Sequence, residues 1–135
     1  MATAQIKKQR QFRDLNLNFS INPFTKDVNK RLNDDAIKAS IINLIRTKKY
    51  ERPFHPEING AIDAALFENF TPITQAYLKR AIEEVIRKFE PRAEIVDVQV
   101  SGDRIDNNEV NVKIVFRIVN TLEPITVSVV LSRAR

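Results

Sequence analysis

The chain has no cysteine, one histidine and two glycines in 135 residues. Without cysteine there is no thiol nucleophile, no disulfide framework and no cysteine-based zinc site, and the composition suits a reducing cytosol. A single imidazole, His55, cannot build a histidine-rich metal centre. Gly60 and Gly102 are too few for a glycine-rich loop whose backbone amides cradle phosphates. No apolar run approaches the length that spans a bilayer. The basic N-terminus, Met1 to Arg13, lacks the apolar centre of a secretory signal. Neither a Gly-x-Ser-x-Gly elbow nor an HExxH helix occurs.

What remains is an ordinary globular composition, 43% hydrophobic, with enough length to bury one core. The net charge of +5 is uneven: residues 1–50 carry +7, residues 51–100 carry −3 and residues 101–135 carry +1. A basic front half is the electrostatic footprint of a nucleic-acid-binding module. Here the charges are scattered among Asn, Asp and apolar residues, so acidic protein partners or solubility explain them equally well. No nucleic-acid partner and no membrane are expected.

The organisation predicted from periodicity is α+β: helices packed on a small antiparallel C-terminal sheet. Residues 1–24 are expected to form an N-terminal arm. Its first eleven residues lack periodicity, and Leu15 to Asn22 alternates apolar with polar like a half-buried strand that ends at Pro23. That strand must pair either with the C-terminal sheet or with another protein. Residues 25–135 are expected to form one domain. A helix from Asn33 or Asp34 to about Lys48 places Ala36, Ile37, Ser40, Ile41, Leu44 and Ile45 on one face. Pro53, Phe54, Pro56 and Glu57, followed by Asn59-Gly60, predict a stiff loop that presents Phe54 in a set direction. A short helix follows over Ala61 to Phe67. Thr71-Pro72 starts a longer helix to about Phe89, whose stripe is Leu78, Ile82, Val85, Ile86 and Phe89, extended upstream by Ile73 and Tyr77. Pro91 ends it. Strands are then predicted over Ile95–Val100, Val110–Val119 and Ile125–Leu131, separated by turn-rich segments.

Catalysis in this chain would have to run on carboxylates. Glu57, Glu68 and Glu90 are the candidates, and a suitably spaced pair could in principle cleave a glycoside such as peptidoglycan. Seventeen acidic residues make such triplets unspecific, and no catalytic, cofactor-binding or metal-binding residue is assigned. His55 is expected to be a loop hydrogen-bonder. Two other features carry more information. In Glu90-Pro91-Arg92 the proline holds a carboxylate and a guanidinium on one side of an extended step. They form either a local ion pair that sets the helix exit angle or a two-headed anchor for a partner protein. The segment Ile125, Thr126, Val127, Ser128, Val129, Val130 and Leu131 is rich in β-branched residues and uncharged. At a sheet edge it would offer unpaired backbone groups to another chain. In a central position it would have the N-terminal strand beyond it.

Arg52-Pro53-Phe54-His55-Pro56-Glu57 with Gly60, Leu66-Phe67-Glu68-Asn69 with Thr71-Pro72, and Glu90-Pro91-Arg92 occur in this order between about Lys26 and Leu131. In this the chain resembles the small baseplate wedge proteins of contractile phage tails, relatives of the TssE component of the type VI secretion baseplate. The resemblance implies a non-enzymatic tail-sheath initiator of the virion, assembled in the host cytoplasm. It implies that Glu90, Pro91 and Arg92 contact larger baseplate wedge proteins. It further implies that Ile125 to Leu131 accepts strands from the tail sheath protein, with six copies per baseplate and tube or hub proteins nearby. The family has also been labelled lysozyme-like, a role that no residue set in this chain supports.

Overall fold

A computed structural model describes residues 11–56, 58–102 and 109–132. Most of the expected N-terminal arm before Phe12, the acid Glu57 and the Asp106-Asn107-Asn108 turn lie outside the described residues. The elements are β1 (Arg13–Leu15), β2 (Lys30–Leu32), α1 (Asn33–Arg46), α2 (Gly60–Phe67), α3 (Pro72–Phe89), β3 (Ala93–Gly102), β4 (Glu109–Ile118) and β5 (Pro124–Ser132). The α+β expectation holds: three helices and a three-stranded antiparallel sheet with order β3-β4-β5.

Contacts divide the chain into two units, residues 1–36 and 37–135. The first therefore extends past Phe24, because β2 pairs back on β1: Arg13 faces Leu32, Asp14 faces Arg31 and Leu15 faces Lys30. The continuous strand expected over Leu15–Asn22 does not form. Asn16 is the physical reason. Its side-chain oxygen accepts from Asn18 N–H at 3.2 Å and its carbonyl accepts from Phe19 N–H at 2.9 Å. This local turn puts Phe19 in the left-handed region at φ 49°. Pairing resumes beyond it, with Asn29 N–H donating to Ser20 O and an isolated bridge between Ile21 and Val28.

In the second unit, α1 buries Ile37, Ile41, Leu44 and Ile45 as its spacing predicts, but it ends at Arg46. Its last carbonyls are closed by a side chain from further along. Asn59 Nδ2 donates to the carbonyls of Leu44, Ile45 and Thr47, and Asn59 is 1% exposed. The helix end thus finds partners where water cannot reach. Asn59 itself takes the positive φ of 62°, so the left-handed residue is the asparagine and Gly60 is the first residue of α2.

The boundaries of α3 match its sequence signals. Thr71 is the N-cap, its side chain accepting from Thr74 N–H at 3.2 Å, and Pro72 is the first helical residue. Leu78, Ile82, Val85 and Ile86 are buried and the buried face reaches upstream through Thr74, whereas Ile73 and Tyr77 lie beside it, 82% and 50% exposed. On the sheet, Val98, Val100, Val110, Val112, Ile114, Phe116, Ile118, Val127, Val129 and Leu131 are all buried. The alternating residues along β4 and β5 are mostly exposed. One sheet face is core and the other is wet, as the alternation predicts.

Replacing Asn59 by alanine is expected to lower stability by about 1–3 kcal/mol, because three carbonyls lose their shared donor. Asn59→Gly tolerates the positive φ but still lacks the amide, so it should remain destabilised in urea unfolding. Parent-like stability in Asn59→Gly would reduce the role of the amide to backbone conformation alone.

Candidate functional site

Glu90 ends α3, its N–H still donating to Ile86 O at 2.8 Å. Pro91 then turns the chain into β3. Both carboxylate oxygens of Glu90 are engaged inside the protein: Arg92 Nε donates to Oε1 at 2.6 Å and Arg92 Nη2 to Oε2 at 2.8 Å, while Ser40 Oγ of α1 also donates to Oε2. Glu90 is 3% exposed. The bidentate fork is the geometry in which a guanidinium binds a carboxylate best. Burial pushes the Glu90 carboxyl up, but the hydrogen bonds from Arg92 and Ser40 and the Arg92 charge outweigh it, leaving its pKa below the ordinary 4.5. The Glu90 half of the motif therefore matches the local ion-pair reading, joining α1, the end of α3 and the start of β3. The Arg92 side chain keeps 24% of its surface exposed.

The same carboxylate is one of the three glycosidase candidates. A general acid needs a raised pKa. Glu90 has a lowered one, Glu57 lies outside the described residues, and Glu68 is an exposed residue at the C-terminal end of α2. Among the described residues no cluster of three or more His, Asp or Glu side chains could hold a metal ion. His55 stacks edge-on against Phe89, with ring centroids 6.3 Å apart.

Phe54 stands at the tip of the proline-flanked turn. Arg52 O accepts from His55 N–H at 3.4 Å, with Pro53 and Phe54 at the centre of the turn. Phe54 has φ 70° and is 96% exposed. Glycine usually fills this turn position, so an aromatic residue there is held against its own preference. Pro56 O accepts from Tyr50 N–H at 3.4 Å, which closes the loop.

The segment Ile125–Leu131 lies in β5, whose only strand neighbour among the described residues is β4. The direction of each backbone group follows from one bond. Val119 N–H donates to Arg92 O at 3.0 Å, so Val119 faces β3. In an antiparallel ladder successive residues face opposite neighbours. Val110, Val112, Ile114 and Phe116 of β4 therefore face β5, opposite Leu131, Val129, Val127 and Ile125. It follows that Thr126, Ser128 and Val130 direct their N–H and C=O groups outward. Their side chains stand on the exposed face, Val130 being 46% exposed. Half of the backbone groups of β5 thus form a margin that no described strand covers. Sequence alternation showed the buried face but not which amides point outward.

A family model described as Baseplate wedge protein gp25 matches residues 31–123, most of the chain. The chain belongs to this baseplate wedge family. A curated relative, Baseplate wedge protein gp25 of Enterobacteria phage T4, is 40% identical over 77 residues. That match covers 57% of this chain and 58% of the relative's length. Membership makes the chain a baseplate wedge protein of a contractile tail and a component of the virion. Two solved structures share its fold. One chain of the anti-feeding prophage baseplate, determined by cryo-EM, superposes with TM-score 0.69 at 24% identity, over 82% of this chain and 88% of that one. A crystal structure from Geobacter sulfurreducens, described as a candidate tail lysozyme, gives 0.65 at 20% identity, over 73% and 89%. At such identities the likeness concerns the fold alone. The hairpin before Arg31 lies outside the family match.

Acid should expose the dependence on Glu90. A carboxylate whose pKa is lowered on folding adds stability that is complete above its unfolded value, near 4.5, and is lost as pH falls through the lower folded value. Urea midpoints measured from pH 6 downward should therefore fall more steeply below about 4.5 in the parent than in Glu90→Gln. Equal slopes would mean that the pair contributes nothing. Arg92→Ala, which leaves a buried carboxylate with Ser40 alone, is expected to cost about 2–3 kcal/mol at neutral pH.

Proposed function

We propose that this wedge protein starts tail-sheath assembly by accepting a strand of the tail sheath protein along the open margin of β5. The observation that carries the reading is the outward direction of the Thr126, Ser128 and Val130 backbone groups. An edge strand with β-branched residues and no charge from Pro124 to Ser132 is one that soluble proteins normally blunt. Adding a strand there satisfies the backbone groups through main-chain hydrogen bonds.

The reading extends to the other partners. Larger baseplate wedge proteins would dock at the Glu90-Pro91-Arg92 junction. Within that motif Glu90 is buried and bonded internally while Arg92 retains exposed surface, which supports a division of labour. Glu90 then orients the guanidinium, and Arg92 with the rigid Pro91 is the contact. Six copies would match a sheath ring. The anti-feeding prophage baseplate was resolved with six-fold symmetry, which is in keeping with that number. Phe54, exposed on its stiff turn, is available to the same neighbours. No catalytic step belongs to this reading: of the two described candidate acids, Glu68 is exposed and Glu90 is held ionised by Arg92.

A pair of proline substitutions tests strand addition. Ser128→Pro removes an outward N–H from an edge strand, where proline is tolerated, and should leave the fold near parent stability. Sheath polymerisation on baseplates carrying it should fail or lag. Val127→Pro removes an N–H that faces β4 and a buried side chain, so it should destabilise the sheet by about 2 kcal/mol or more. Normal sheath growth on Ser128→Pro baseplates would contradict the proposal.

A further inference from the structure

A three-stranded meander has a second margin, the outer side of β3, and side chains close it. Opposite the β4 residues that face β3, Asp97 pairs inward with Val115, so Val98 and Val100 face outward. The Val98 N–H donates to Asp97 Oδ1 at 2.9 Å. The Val100 C=O accepts from Gln75 Nε2 of α3. Lys79, one turn further along the same helix face, donates to Asp97 Oδ1 at 3.0 Å, and Gln99 Nε2 holds the other carboxylate oxygen at 3.1 Å. Gln75 and Lys79 thus reach across the groove between α3 and β3 at both ends of the outward-facing stretch. At the end of the strand the Phe70 ring lies over Gly102, where an added Cβ would sit 3.0 Å from it. On the other side of Asp97 the register slips between Ile95 and Asp97, a bulge that breaks the regular spacing a foreign strand would need.

We propose that Gln75, Lys79 and Asp97 form a latch that closes the outer margin of β3, so that the sheet accepts a foreign strand on the β5 side only. The proposal rests on the reading of β5 as an accepting edge and adds direction to it. With both margins open, β3 of one copy could pair with β5 of the next. Such a head-to-tail contact builds a ring where the rotation closes and a growing polymer where it does not. A subunit that must wait for a different protein therefore needs one margin closed. The latch is a weak source of stability, since Lys79 and Asp97 are each more than 40% exposed. Its effect is to occupy backbone groups and the space beside them. The Lys79 and Gln99 hydrogen bonds also keep the Asp97 carboxyl below its ordinary pKa.

The experiment is sedimentation velocity over a concentration series on the full chain, with circular dichroism to verify the fold. The combined variant Gln75→Ala, Lys79→Ala, Asp97→Ala is expected to fold and to assemble, with rising concentration, into species several-fold heavier than the parent's. Gln75→Leu alone, which removes one cap without disturbing the helix, should shift the distribution the same way by a smaller amount. A folded variant with the parent's mass distribution at every concentration would overturn the latch. Adding Ser128→Pro to the combined variant separates the two claims. Growth that stops supports β3-to-β5 pairing. Growth that persists keeps the latch but refutes β5 as the accepting edge.

Discussion

β4 lies between two strands and divides its backbone groups alternately between them, and this division sets the rest of the sheet. Because Val119 is bonded towards β3, Phe116, Ile114, Val112 and Val110 are committed to β5. The outward groups of both outer strands follow without further choice. The two margins then differ only in what covers them. On β3 the cover is α3, which follows the chain directly into that strand through Pro91. On β5 nothing among the described strands continues the ladder, because the N-terminal strand β1 is paired with β2 in a separate sheet. The difference between the two margins thus follows chain order: β3 leaves a helix that guards it, and no described strand lies beyond β5.

The Glu90–Arg92 pair belongs to the same arrangement. A carboxylate buried at 3% exposure with a bidentate guanidinium and a serine hydroxyl ties α1 to the point where α3 becomes β3. Buried pairs of this kind are poor sources of net stability compared with apolar packing, and their best-attested use is to specify one arrangement over others. Here the pair joins α1 to the junction of α3 and β3, the two elements between which Gln75 and Lys79 meet Val100 and Asp97. The motif therefore has two parts: an internal acid bonded on both oxygens, and an arginine whose side chain keeps 24% of its surface exposed.

Much of this was legible in the residues. Thr71-Pro72 and Pro91 bound α3 because capping and the missing proline N–H act locally, and local rules survive folding. The alternation in β4 and β5 predicted the buried face because burial has the strand's own period. The failures have equally specific causes. Leu15–Asn22 alternates like a strand, yet Asn16 diverts the backbone into a side-chain-capped turn, a choice that polarity patterns do not register. Ile73 and Tyr77 sit beside the face of α3 that meets the core, which reaches upstream through Thr74, a polar residue that an apolar pattern does not count. Asn59-Gly60 reads as a turn and Asn59 takes the left-handed conformation, but the bond from its amide to the end of α1 is distant in sequence and does not show in the pair. The closing of β3 by Gln75 depends on helix register and could not be predicted from periodicity.

The central claim is that the outer groups of β5 are free until a foreign strand binds them. Amide hydrogen exchange, resolved residue by residue for the isolated protein and for baseplates carrying sheath, measures this directly. The account predicts fast exchange at Thr126, Ser128 and Val130 in the isolated chain, slow exchange at Val127 and Val129, and protection of the first three once sheath has added. Outward amides already protected in the isolated chain, or still exchanging freely beneath an assembled sheath, would contradict it.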